Sequence, residues 1–68
     1  MPMPDDCTCN TKFAGDEQWC GGQLNLDRDR CGGQSNIDSF VFKCNHNGST
    51  CMYGYGTDCV VCNKVECP

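Results

Sequence analysis

Cys20-Gly21-Gly22-Gln23-Leu24-Asn25-Leu26-Asp27 recurs eleven residues later as Cys31-Gly32-Gly33-Gln34-Ser35-Asn36-Ile37-Asp38, with six of the eight positions identical. The constant part that matters is Cys-Gly-Gly. Glycine reaches positive φ without a Cβ penalty, so each copy predicts a tight turn directly after a cysteine. Such a turn can aim backbone amides at a metal-bound thiolate, and it serves equally well beside a disulfide. The repeat is too short to be a solenoid unit. It suggests two equivalent turns presenting Cys20 and Cys31 in the same way.

The chain holds nine cysteines in 68 residues, above the roughly 8–10% that marks a cysteine scaffold. Once these are removed from the 38% of residues counted as apolar, about a quarter of the chain is left to build a core. That is too little for an ordinary domain of this length. The fold must be held by cross-links or by metal. A Rossmann, barrel or bundle enzyme is excluded, and no apolar run approaches a membrane span.

An odd cysteine count leaves one thiol over in a pure disulfide framework. A metal account absorbs it more easily. Structural zinc takes four Cys or His ligands, and the single histidine, His46, lies two residues after Cys44. Cys7, Cys9, Cys20, Cys31, Cys44, His46, Cys51, Cys59, Cys62 and Cys67 therefore form a ten-group ligand inventory. Close pairs occur at Cys7-Thr8-Cys9, Cys44-Asn45-His46 and Cys59-Val60-Val61-Cys62. Two zinc ions would use eight groups; a third would need a bridging thiolate, an outside ligand or a carboxylate such as Asp5, Asp6 or Asp58. The expectation from this inventory is two or three structural zinc ions, with disulfides as the alternative staple.

The expected fold is a small irregular domain, stapled by metal or by disulfides, with few short β-strands and loops and little or no helix. Residues 1–6 read as a flexible N-terminal tail and residues 7–68 as one cysteine-rich, zinc-stabilised domain. Aromatic and β-branched residues at Phe40-Val41-Phe42-Lys43 predict a strand with Phe40 and Phe42 on one face. Met52-Tyr53-Gly54-Tyr55 and Val60-Val61 are two further strand candidates. Asn47-Gly48 predicts a turn; Asn47-Gly48-Ser49 is also a glycosylation sequon, a pattern that arises often by chance.

Five basic residues against nine acidic ones give a net charge of -4. Lys12, Arg28, Arg30, Lys43 and Lys64 are scattered, so nucleic acid and membrane surfaces are not expected partners. The opening Met1-Pro2-Met3-Pro4-Asp5-Asp6 contains no apolar leader, while the cysteine density points to a secretory origin. With one histidine and no room for a pocket beside a core, an enzyme is not expected. Recognition would fall to exposed side chains between the staples: Asp16, Glu17, Trp19, the Asp27-Arg28-Asp29-Arg30 run, and Tyr53 or Tyr55.

Tyr55-Gly56-Thr57-Asp58-Cys59-Val60-Val61-Cys62 resembles the Tyr-x-x-x-Cys-x-x-Cys stretch of Kazal-type serine protease inhibitors. The spacing from Cys44 to Cys51 and from Cys51 to Tyr55 departs from that family, and no protease-binding loop carries over. The same stretch, in a small, acidic, cysteine-dense chain, is similar to the AvrP-type avirulence effectors of rust fungi. That resemblance implies a secreted fungal protein delivered into host plant cells, where it binds a host protein and is recognised by an immune receptor. It also implies a zinc-stapled fold, since zinc thiolates persist in a reducing cytosol where disulfides are at risk. The expected function is a non-enzymatic secreted effector; the alternative is a disulfide-stapled secreted toxin or Kazal-like protease inhibitor.

Overall fold

Phe40–Cys44 forms the central strand of a three-stranded antiparallel sheet in a computed structural model that describes all 68 residues. The sheet is β1 (Gln18–Cys20), β2 (Phe40–Cys44) and β3 (Thr50–Tyr55), in that order. Two short helices complete it, α1 at Gly21–Leu24 and α2 at Thr57–Cys62, with 3-10 turns at Thr11–Phe13 and Ile37–Ser39. A small domain with short strands and little helix was the expectation, and the strands over Phe40–Phe42 and Met52–Tyr55 are present.

The register explains which side chains are buried. Trp19 lies opposite Phe42 and Cys20 opposite Val41. Across the other edge of β2, Phe40 faces Tyr55 and Cys44 faces Thr50. Val41 pairs with Gly54 but Phe42 with Met52, so Tyr53 is an extra residue in β3 and the ladder bulges there. Gly54, at φ +136°, takes the conformation the bulge needs. The β2–β3 turn closes at the predicted place: Gly48, at φ +86°, donates its amide to the Asn45 carbonyl at 2.9 Å. Met1–Met3 run beside β3. The Met52 amide donates to the Met1 carbonyl at 2.8 Å, and the Met3 amide to the Thr50 carbonyl at 3.1 Å.

The core is small, and three of the seven residues of its cluster are cysteine. Leu24, Leu26, Ile37 and Phe42 cluster with Cys7, Cys31 and Cys44. Each fully buried apolar side chain contributes roughly 1.5–3 kcal/mol, too little by itself against the entropy of ordering the chain. Cross-links supply the rest. Cys7 bonds to Cys31, Cys9 to Cys44, Cys20 to Cys59 and Cys62 to Cys67. In chain order the first three bonds interleave: each begins before the previous one has closed.

This overturns the zinc expectation. Cys7, Cys9, Cys20, Cys31, Cys44, Cys59, Cys62 and Cys67 are consumed in four disulfides, and a cystine sulfur has no thiolate charge to offer a metal. Cys51 alone keeps a free thiol. His46 is exposed in the β2–β3 turn, and nowhere do three His, Cys, Asp or Glu side chains converge as a metal site would require.

Two smaller expectations also change. The Cys-Gly-Gly copies are not equivalent. The first is the start of helix α1, with Cys20 as its N-cap and Gln23 reaching back to the Cys20 amide at 2.9 Å. The second is an open turn with Gly32 at φ +101° and Gly33 at φ +74°. Val60-Val61 is helical and exposed, not a strand. The Cys59 side chain is tied to Cys20, and a helix lets that one face turn inward while the valines turn out.

Candidate functional site

The chemistry-bearing side chains do not converge on one centre. Ten residues were expected to share metal ions; the structure pairs eight of them as cystines, five of whose half-cystines (Cys7, Cys20, Cys31, Cys44 and Cys59) are buried. These residues hold the fold. The recognition candidates lie elsewhere, on three surfaces.

The first is a groove of about 530 Å³ between the segment Asp16–Trp19 and the loop Lys64–Glu66. Gln18 and Trp19 in its lining belong to β1, an edge strand paired on one side only. Asp16, Glu17 and Glu66 are exposed, so the groove is acidic, with Lys64 as the single basic group in its lining. Trp19 forms part of the wall and is half-buried. Its ring meets Phe13 edge-on at 4.9 Å, and its indole N–H donates to the Phe13 carbonyl at 3.1 Å. The indole is thus pinned by packing, and a fixed aromatic wall costs little entropy on binding. The opposite wall is also fixed: Cys62–Cys67 closes the loop, and the Cys67 amide donates to Asp58 at 3.1 Å.

The second comprises exposed apolar side chains on β3 and on α2. Tyr53, Tyr55, Val60 and Val61 are each more than half exposed. The β3 bulge turns out Tyr53, and the short helix turns out the valines. Tyr55 is the better fixed of the tyrosines, standing edge-on to Phe40 at 5.7 Å.

The third is the Asp27–Arg30 loop. Asp27 accepts the backbone amides of Asp29 at 2.9 Å and Arg30 at 3.2 Å. The loop's shape is therefore built by one carboxylate. Its ion pairs, Arg28–Asp29 and Arg30–Asp27, are 3.9 Å apart and exposed, and such pairs add little stability. Both arginine side chains are mostly exposed.

The sequence points to Asp16 and Glu17, Trp19, the charged loop and Tyr53 or Tyr55, and all of these lie on the three surfaces above. The second wall of the groove is not among them. Its signal was the short interval from Cys62 to Cys67, which a disulfide closes into a rigid loop. The Val60–Val61 surface was missed because two adjacent β-branched residues read as strand.

No protein-family model, characterised protein or solved structure matches the chain.

Proposed function

We propose that this chain is a secreted, disulfide-stapled binding protein of the toxin or inhibitor kind, which acts without catalysis by presenting fixed side chains to a protein partner. The observation that carries this reading is the covalent core. Four disulfides replace the apolar mass the sequence lacks, and three of them interleave in chain order. Disulfide-dense domains of this size form and persist in oxidising compartments. With the interior given over to cystine, what remains for function is surface: the Trp19 groove, the Tyr53–Tyr55 face and the Arg28–Arg30 loop.

Delivery into a host cell and recognition by an immune receptor remain part of the proposal only in a form without zinc. A disulfide-stapled effector would act outside the cell or survive entry kinetically. Inhibition of a protease has one observation in its favour, the strand–turn–helix formed by Tyr55 to Cys62 with Cys59 bonded back to the sheet at Cys20. A panel of serine proteases assayed with the oxidised chain tests it.

The deciding measurement is the mass of the chain secreted from an oxidising compartment, with and without reductant. Four disulfides lower the mass by about 8 Da, one pair of hydrogens per bond. A secreted, folded chain with nine free thiols overturns the reading. Reversing Arg28 and Arg30 to Glu should then change partner binding and leave the fold intact.

A further inference from the structure

We propose that Asn47 is an N-glycosylation site, modified when the chain passes through a eukaryotic secretory pathway. The proposal rests on the secreted reading above and adds a covalent modification to it.

Three observations meet at this residue. Asn47-Gly48-Ser49 is the one sequon in the chain; the other five asparagines, at 10, 25, 36, 45 and 63, lack a Ser or Thr two residues on. The sequon occupies the tip of the β2–β3 turn, where His46 and Asn47 are exposed. A sequon is useful only on such a surface loop.

The third observation is the orientation of the carboxamide. Asn47 Oδ1 accepts the Ser49 hydroxyl at 2.7 Å and the Ser49 amide at 3.0 Å. The side-chain oxygen is thereby fixed toward the chain, and Asn47 Nδ2 makes no hydrogen bond to the protein. The nitrogen that would carry a sugar therefore faces away from the turn. Gly48, at φ +86°, lets the backbone fold Ser49 under Asn47 in this way. The turn is anchored at its base by Cys9–Cys44, and Asn47 is exposed and outside the core cluster, so a glycan on it would displace no core contact.

The transfer balances with a lipid-linked oligosaccharide as co-reactant. Asn47 Nδ2 forms the bond to the anomeric carbon and gives up one proton to the transferase. The bond from that carbon to the lipid diphosphate oxygen breaks, and the lipid diphosphate leaves.

The test is expression of the full chain behind a cleavable signal peptide in a eukaryotic cell, followed by intact mass before and after peptide N-glycosidase and before and after reduction. The expected main species carries one glycan, loses it to the glycosidase, and has four disulfides. Asn47→Gln and Ser49→Ala should each be secreted with the same four disulfides and no glycan, and Ser49→Thr should keep the glycan. A main species with four disulfides and a bare Asn47 overturns this proposal and leaves the secreted reading standing. Nine free thiols in the secreted chain would overturn that reading instead, whatever the state of Asn47.

Discussion

A Cβ placed on Gly21 would overlap the carbonyl oxygen of Ile37. The two residues come from the two copies of the repeated octapeptide, and their contact is where those copies pack on one another. Gly21 opens α1, Ile37 opens the 3-10 turn ahead of β2, and Leu24 and Ile37 are both buried in the same cluster. Because the obstacle is backbone, no side-chain rotation relieves it. Gly21→Ala should destabilise the fold by about 2–3 kcal/mol, read as a lower denaturant midpoint at unchanged slope. Gly33→Ala has no such obstacle, and its cost should come only from the positive φ of 74°. Equal losses at the two positions would remove the packing explanation.

Thr50 is the one buried polar side chain, 2% exposed. Its hydroxyl lies 3.1 Å from the Cys7 carbonyl, to which it donates, and 3.2 Å from the Cys7 sulfur. Thr50→Val keeps the shape and removes the donor, leaving a buried carbonyl without a partner. The expected cost is about 1–3 kcal/mol, by chemical denaturation of the oxidised protein. Thr57→Val, at an exposed position, should cost much less, and a reversed order of the two would refute the assignment.

The disulfides should differ in worth according to the loop each closes. Cys20–Cys59 spans a separation of 39 residues and Cys62–Cys67 a separation of 5. Loop-closure entropy gives about 4 kcal/mol for the first and about 2 kcal/mol for the second. Burial sharpens the contrast, since Cys20 and Cys59 are in the interior and replacing them also leaves a cavity. Thermal unfolding of the Cys20→Ala/Cys59→Ala and Cys62→Ala/Cys67→Ala pairs would rank them.

Because the staples are disulfides, a strong chelator should leave the circular dichroism spectrum unchanged while a reductant abolishes the fold. Denaturing the oxidised chain without reductant in the presence of an alkylating agent should add a single group, on Cys51. Nine additions would restore the metal reading.

Several of these relationships were legible in the residues. Alternation and aromatic content fixed β2, and Asn47-Gly48 fixed the turn after it. Too little apolar mass foretold the staples. The kind of staple was not legible, because the odd count favoured zinc only if every thiol had to be used. The structure instead leaves Cys51 half-buried in β3, bridged by Pro2 and paired with Lys43. Nor was the pairing legible, since eight cysteines admit on the order of a hundred connectivities. Local propensity misled at Val60-Val61, where the bond from Cys59 to Cys20 sets the backbone and overrides the β-branched preference. The repeat misled in the opposite way: identical residues took different conformations because only the first copy follows a strand.

The interleaving of the disulfides bears on what becomes of the molecule after its backbone is cut. A trypsin-like enzyme has five basic residues to cut after, Lys12, Arg28, Arg30, Lys43 and Lys64. Cleavage at all five would free only the dipeptide Asp29-Arg30, because every other piece holds a half-cystine bonded to another piece. Digestion would thus hydrolyse bonds without dispersing the molecule. The surfaces carried by Trp19, Tyr53 and Tyr55 would stay joined on one covalent body, lasting for as long as the surroundings remain oxidising.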